Sequence, residues 1–213
     1  MKAPFMRRRM TLSFAAIVMA AAAYVLFRPP AERGSMRHFE PSRLANLETR
    51  MWQAYYQKQN VRLFSLLVVM LREQYHYSWA VSVREAFHLA RAAATFGNAR
   101  SNYEQVLPDL EVAYTMVRDW EGARFDPRNV ARAELAWWVA RRIPGENAPE
   151  HVGALIAQEY ALLYEVPTPS VESAGVLRAQ AGALRDAEAS APDWTVIESL
   201  LVRSYSDLHR ALN

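Results

Sequence analysis

Hydrophobic and polar positions alternate with a helical period through most of this chain. At the start of its main part, apolar residues recur at spacings of three, four and four: Leu44, Leu47, Met51 and Tyr55. These spacings place the four side chains on one face of an α-helix. The pattern predicts a helical stretch from Pro41 to about His76 that bends near residues 57–60. No stretch has the alternating pattern that is typical of strands, so the sequence predicts an all-α protein.

Capping residues and prolines mark the starts of six further helices. Proline suits the first helical turn because the amide hydrogen that it lacks is unpaired there. The predicted starts are Ser78 or Ser82, Pro108 after a capping box at Ser101 and Glu104, Asp126–Pro127, Asn147–Pro149, Thr168–Pro169 and Ser190–Pro192. The corresponding ends fall near Gly97, Trp120, Arg142, Glu165, Ala189 and Leu212. The sequence therefore predicts a bundle or array of about seven helices with short connections.

An uncharged apolar run, Met10–Phe27, precedes this helical part. Its 18 residues would span roughly 27 Å as a helix, close to the thickness of a bilayer core. We predict one transmembrane signal-anchor helix. The alternative is a cleavable signal peptide with its cleavage site near Ala21–Ala23, but the apolar run is longer than the usual signal-peptide core.

The chain of 213 residues has a pI near 9.3, but its positive charge is concentrated at the N-terminus. Residues 1–37 carry a net charge of +6, whereas the remaining residues carry −3. Because the helical part has no basic cluster, no nucleic-acid partner is expected. The cluster Arg7, Arg8 and Arg9 favours a cytoplasmic N-terminus with the body across the membrane, which in the inner membrane of a bacterium is the periplasm.

These features divide the chain into four segments. They are a basic segment 1–9, a transmembrane helix 10–27, a Pro-rich stalk 28–41 and an α-helical extramembrane domain 42–213. Within the membrane helix, small residues recur at spacings that let a second helix approach closely, namely Ala16, Ala20 and Ala23.

Two Glu-x-x-His spacings provide the one candidate metal site, formed by Glu73, His76, Glu85 and His88. Residues three apart share a helix face, and di-iron carboxylate bundles place Glu and His on their metals in this way. Glu48, Glu134 or Glu159 could complete such a shell. The alternative is a solvated helix end that binds no metal. The sequence contains no Cys and no familiar nucleotide-binding or hydrolase motif, so it identifies no cofactor and no small-molecule substrate.

Five tryptophans of the helical part mostly occupy apolar periodic positions typical of a core: Trp52, Trp79, Trp137, Trp138 and Trp194. Consecutive residues on a helix point about 100° apart, so one of Trp137 and Trp138 is expected at the rim. We predict a candidate partner surface there. Helices of similar length at 148–165, 169–189 and 192–212 also leave a helical-repeat stack open.

Three stretches carry a resemblance to a known group of proteins: Leu47–Tyr56, Leu71–His76 and Ala133–Trp138. Over residues 47–142 the chain resembles an uncharacterised family of bacterial proteins with an N-terminal anchor and a helical body. The resemblance implies a bacterial envelope protein. It implies no activity, so no functional residues follow from it.

The combined prediction is a non-enzymatic accessory or structural subunit of a larger bacterial inner-membrane complex. Energy-transducing assemblies, respiratory or photosynthetic, are natural candidates for such a complex. The expected partners are other membrane-protein subunits and the lipid bilayer. Two alternatives stay open, a di-metal carboxylate/His helical-bundle enzyme and a membrane-anchored helical-repeat scaffold that binds proteins or peptides.

Overall fold

The computed structural model describes residues 19–28, 34–188 and 190–213. Eight α-helices follow one another in the main part of the chain: α1 (Pro41–Tyr56), α2 (Asn60–Tyr75), α3 (Trp79–Asn98), α4 (Leu107–Glu121), α5 (Pro127–Ala140), α6 (Pro149–Tyr164), α7 (Thr168–Ala187) and α8 (Trp194–Leu212). A short 3-10 helix, Tyr103–Val106, precedes α4. The described ranges contain no strand. The all-α prediction is confirmed.

The predicted capping residues begin several of these helices. The Ser78 hydroxyl accepts a hydrogen bond from the Val81 amide at the start of α3, and the Asp126 carboxylate accepts one from Arg128 at the start of α5. At α8 the sequence pointed to Ser190, but the side chain of Asp193 caps the helix. Capping at Asp193 moves the start of α8 to Trp194.

The predicted long first stretch is two helices, which brings the number of α-helices in the described residues from Pro41 onwards to eight. Lys58 has a φ of 57°, in the left-handed region that ends a helix. The Gln59 amide then donates to the Ala54 carbonyl at 2.8 Å, which closes the end of α1. The predicted bend is therefore a full break.

Each helix packs mainly against its neighbours in the chain, and α8 returns to pack against α1. The described helices therefore form a closed, antiparallel array instead of an open helical-repeat stack. We call the end that holds the first residues of α1 the stalk end, and the opposite end the far end. The stalk end collects the C-termini of α2, α4, α6 and α8.

Contacts at the far end confirm the antiparallel order. The Arg142 guanidinium, just after α5, donates to the Phe96 carbonyl near the end of α3 at 2.8 Å. The Tyr56 hydroxyl at the end of α1 donates to Asp186 at the end of α7 at 3.4 Å. The odd-numbered helices thus all end here.

The closest approach in the array is between α6 and α7. A Cβ atom on Gly175 would lie 2.3 Å from the Gly153 carbonyl oxygen, and one on Gly153 would lie 2.6 Å from the Val176 Cα. Both distances are shorter than any tolerable contact, so glycine is required where the two backbones touch.

The predicted membrane helix is described only in its second half. Residues 10–18 lie outside the described residues, as do the predicted topology and packing residues Arg7, Arg8, Arg9 and Ala16. Residues 19–27 are helical, and Ala20 and Ala23 are exposed. Within the described ranges, every helix is too short or too polar to cross a bilayer, so the structure does not support the predicted transmembrane helix.

Residues 34–39, which we call the entry segment, belong to the body although they fall inside the predicted stalk. Met36 and Phe39 are buried in the core. A Cβ atom on Gly34 would lie 2.5 Å from the ring of His76, so the chain enters through a narrow site. Burial of two large side chains moves the start of the folded body from residue 42 to about residue 34.

The entry segment ties together the four helix C-termini at the stalk end. The Met36 amide donates to Glu121 of α4 at 3.0 Å, and the Arg37 guanidinium donates to the carbonyl of Tyr164, the last residue of α6. His76, after α2, contacts the His38 carbonyl through Nε2 at 2.9 Å. The Asn213 amide, after α8, donates to the Arg37 carbonyl at 3.1 Å.

Candidate functional site

A set of polar side chains meets inside the closed array, near the middle of its helices. We call this set the inner polar network, and it comprises Glu48 of α1, Tyr114 of α4, Glu134 and Trp137 of α5, Glu159 of α6, Arg178 of α7 and Tyr205 of α8. Ionisable groups are rare in protein interiors unless they are paired or hydrogen-bonded. Their concentration here makes the network the strongest candidate for a functional site.

One half of the inner polar network is an ion pair. The Arg178 guanidinium donates to Glu48 Oε1 from Nε at 3.0 Å and from Nη2 at 2.7 Å. The Tyr205 hydroxyl donates to the other oxygen, Glu48 Oε2, at 2.7 Å. Arg178 also lies over the Trp137 ring, 5.0 Å from its centroid. Both oxygens of the buried Glu48 carboxylate therefore have partners.

The other half joins two carboxyl groups through one tyrosine. The Tyr114 hydroxyl lies 2.9 Å from Glu134 Oε2 and 3.1 Å from Glu159 Oε1. The Trp137 indole N–H donates to the second oxygen of Glu159. Glu134 and Glu159 are thus held close together on neighbouring helices.

Burial and mutual repulsion change the acidity of these groups. Loss of solvent, together with the negative charge of Glu159, raises the pKa of Glu134 to about 8, although part of the Glu134 side chain reaches the surface. Burial also raises the pKa of Glu159, against the opposing effect of the Arg178 charge and the Trp137 and Tyr114 hydrogen bonds. The pair therefore retains a proton near neutral pH.

Another buried carboxyl group, Glu85 of α3, faces Tyr77 in the α2–α3 connection. Burial raises the pKa of Glu85 to about 8, and the Tyr77 hydroxyl partly opposes that rise. The two groups interact electrostatically, but among the described residues neither Tyr77 Oη nor Glu85 Oε2 has a hydrogen bond of normal geometry. Burial therefore accounts for a neutral Glu85 carboxyl group at neutral pH, and no metal is needed to explain its position.

A small recess reaches the inner polar network from the surface. Its volume is about 40 Å³, and it is lined by Trp52, Trp137, Arg141, Ile156, Arg178, Ala179 and Gly182. This space holds about one water molecule. A larger, shallow recess of about 310 Å³ lies along the outer side of α8 beside Trp194 and Glu198, away from the network.

The predicted metal residues do not share a site. Glu73 is exposed and pairs with Arg43 at 3.2 Å, and His76 contacts the entry segment. His88 contacts the Asp109 carboxylate through Nδ1 at 2.8 Å. With Glu85 buried beside Tyr77, each of the four has a separate environment. Among the described residues, no three His, Asp or Glu side chains converge to hold a metal.

The Asp109 carboxylate also has a cationic partner. Arg91 of α3 donates to it through Nε and Nη2. The hydrogen bonds from Arg91 and from His88 lower the pKa of Asp109. This cluster links α3 to α4 and accounts for the position of His88 without any ligand.

The five tryptophans predicted for the core are half-buried and pack against it. Trp137 belongs to the inner polar network, and Trp138 lies 5.1 Å from the Phe96 ring, measured between centroids. Trp137 and Trp138 are only partly exposed, so only part of each side chain is accessible at the predicted partner surface.

Sequence reasoning named four members of the inner polar network. Glu48, Glu134 and Glu159 were named as additional metal ligands, and Trp137 as a core or partner-surface residue. The sequence prediction missed Arg178, Tyr114 and Tyr205. Arg178 had one weak signal, because it is an arginine at a position where α7 otherwise carries small and apolar inward-facing residues. The tyrosines had none, since a buried tyrosine and a core aromatic residue look alike in sequence.

No protein-family model, curated protein or solved structure matches this chain. The resemblance to bacterial anchored helical proteins therefore stays a prediction from the residues themselves.

Proposed function

We propose that this protein is a non-enzymatic accessory subunit of a larger bacterial inner-membrane complex. In this proposal residues 10–27 are the membrane anchor, and the closed helical array braces partner subunits. The observation that carries the proposal is the exposure of helix 19–27. Every residue from 19 to 28 is exposed, and Phe27 is 68% exposed. A contiguous apolar surface that the described part of the chain leaves uncovered is typical of a segment that lipid or another protein covers.

The composition of the anchor supports the same reading. Its 18 uncharged residues match the roughly 30 Å hydrocarbon core of a bilayer when they are helical. Ala16, Ala20 and Ala23 would let another membrane helix approach closely, which is how helices associate in lipid. The Arg7–Arg9 cluster would hold the N-terminus in the cytoplasm.

The entry segment supports a bracing role for the body. Six peptide steps separate Arg28 from Gly34, and a chain of that length reaches about 20 Å at most. The entry segment is then fixed to α2, α4, α6 and α8 by the contacts of Met36, Arg37 and His38. A body anchored in this way would stay close to the bilayer with its stalk end towards it.

The far end presents apolar side chains that could contact a partner. Tyr55 of α1, Val61 of α2 and Val196 of α8 are all exposed there, and Val61 is 83% exposed. The three helices are neighbours in the array. We place the partner contact at this end, on the side away from the membrane. Energy-transducing complexes, respiratory or photosynthetic, are the natural candidates for the assembly.

The test is gentle detergent extraction of the tagged, full-length protein from native membranes, followed by sizing and identification of co-purifying chains. We expect a particle much larger than the 24.3 kDa monomer with defined partner subunits. Recovery of the protein alone, at monomer size, would contradict the proposal.

Matched variants test the partner surface. Val61→Lys at the far end should release the partner chains, because it places a charge in an apolar contact. Val83→Lys, on an exposed apolar position of α3, is the control and should retain them. Retention of partners by both variants would show that the far end is not the contact, without affecting the proposed anchor.

A further inference from the structure

The Tyr114 hydroxyl contacts two carboxyl groups, and the two contacts cannot both be two-centre hydrogen bonds if both groups are ionised. A phenol has one hydrogen to donate, and an ionised carboxylate only accepts. Nevertheless, the Tyr114 hydroxyl lies within hydrogen-bond distance of two carboxyl oxygens, 2.9 Å from Glu134 and 3.1 Å from Glu159. Without sharing the single phenol hydrogen, both contacts are two-centre hydrogen bonds only if one of the two carboxyl groups carries a proton and donates it to the tyrosine oxygen.

The remaining partners indicate which carboxyl group is protonated. Glu159 accepts from the Trp137 indole, which is a donor only, through its second oxygen. Among the charges that act on Glu159, the Arg178 charge has the largest effect, whereas at Glu134 the repulsion from Glu159 comes before it. Two donors and a nearby cation favour the ionised form of Glu159. Glu134 has one described partner, Tyr114, and it is the better proton carrier.

We propose that Glu134, Tyr114 and Glu159 form a buried proton-binding site. Glu134 is held as a neutral acid that donates to the Tyr114 oxygen, and the Tyr114 hydroxyl in turn donates to the ionised Glu159. Removal of the proton leaves two negative carboxylates on neighbouring helices with one hydrogen between them. The interface of α4, α5 and α6 then loosens, so the site makes the body sensitive to alkaline pH.

The surrounding groups fit a site that holds one proton. Other charged and titratable groups face the pair from the remaining helices: Glu48 of α1, Tyr75 of α2, Glu85 of α3, Arg178 of α7 and, through Glu48, Tyr205 of α8. Arg178 is the one cation among them and already pairs with Glu48. It cannot neutralise Glu48, Glu134 and Glu159 together. This inference is independent of the proposed function, since it concerns only the interior of the body.

Infrared spectroscopy of the full-length protein in detergent and heavy water tests the site directly, because a protonated carboxyl group has its own carbonyl band. The Glu85→Gln background removes the other carboxyl group whose pKa is raised to about 8, so that the remaining band reports the group formed by Glu134, Tyr114 and Glu159. In that background we expect the band at neutral pH and its half-loss at about pH 8. Adding Glu134→Gln should abolish the band, whereas adding Glu73→Gln, at an exposed ion pair, should leave it unchanged.

Two results would overturn the proposal. One is no carboxyl band at neutral pH in the Glu85→Gln protein, and the other is a band that survives Glu134→Gln. Should Glu134→Gln fail to fold, as judged by circular dichroism, Tyr114→Phe provides the second test. It keeps the ring and removes the acceptor, so the band should persist and move to higher frequency. An unmoved band in Tyr114→Phe would also contradict the proposed hydrogen bond to Tyr114.

Discussion

The Arg178 guanidinium on α7 and the Glu48 carboxylate on α1 are joined by a contact of 2.7 Å, although α8 packs between their helices. The ion pair therefore connects the two ends of the chain across the point where the array closes. Tyr205 of α8 donates to the same carboxylate, so all three closing helices meet at one group. Loss of either charge would leave the other buried and unpaired.

Arg178→Met is therefore expected to destabilise the protein by about 3 kcal/mol, because breaking a buried pair typically costs 3–5 kcal/mol. We place it at the lower end since 19% of the Arg178 side chain is exposed. The free energy of unfolding in urea measures this loss. The control is Arg43→Met at the exposed Arg43–Glu73 pair, which should cost less than about 1 kcal/mol. Equal losses for the two variants would show that the closure does not depend on the ion pair.

Gly175→Ala is expected to force α6 and α7 apart, because its new Cβ would lie 2.3 Å from the Gly153 carbonyl oxygen. Overpacking of this kind costs about 1–3 kcal/mol. Gly97→Ala on α3 is the matched control, since a Cβ there meets nothing within 4 Å. It should be neutral or stabilising by up to about 1 kcal/mol, as alanine favours helix. The measurement is the thermal unfolding temperature of both variants. A change of the same sign in both would contradict the close contact between α6 and α7.

The Glu85 carboxyl group makes the protein less stable as the pH rises. Its pKa of about 8 in the folded state lies above its usual value of 4.5. Between these two values the folded state binds more protons than the unfolded state, so stability falls as pH rises and the contribution is lost above about pH 8. Glu85→Gln keeps a neutral side chain at every pH. We expect a shallower loss of stability between about pH 5 and about pH 8, the range between the two pKa values.

Urea unfolding of Glu85→Gln at several pH values measures that slope. Glu73→Gln, at an exposed carboxylate, should keep the slope of the unmodified protein. A slope for Glu85→Gln equal to that of the unmodified protein would show that Glu85 is not held neutral.

Arg37→Ala is expected to loosen the stalk end while leaving the rest of the body folded. The Arg37 guanidinium donates to the Tyr164 carbonyl at the end of α6, and a hydrogen bond from a charged group contributes about 1.5–3 kcal/mol. Amide hydrogen exchange should show faster exchange in residues 34–40 and in the last turn of α6. Exchange in α3 serves as the internal reference and should not change. Uniformly faster exchange would instead indicate global destabilisation.

The helices could be predicted because their signals are local. The caps at Ser78 and Asp126 each depend on a few neighbouring residues, and the structure confirms both. The break after α1 was predicted only as a bend, because lysine is not a residue type that favours the left-handed conformation that Lys58 adopts. The start of α8 was misplaced for a similar reason, since Ser190 and Asp193 are both good caps and packing selects between them.

The candidate site could be predicted only in part. Sequence spacing grouped Glu73, His76, Glu85 and His88, because residues three apart share a helix face. In the structure, each of these four side chains contacts a different partner. The contacts of the inner polar network join residues 20 to 157 positions apart in the chain. No local spacing carries such information.

By itself, the sequence determined the all-α class, most helix boundaries and the separation of a basic, apolar N-terminus from a mildly acidic helical part. These properties follow from periodicity, capping and charge, which act over a few residues. Only the tertiary structure decided that α8 closes on α1, that residues 34–39 belong to the body, and that Glu134 and Glu159 share Tyr114. Those outcomes depend on which distant groups burial brings together, because loss of solvent forces each buried charge to find a partner or keep a proton.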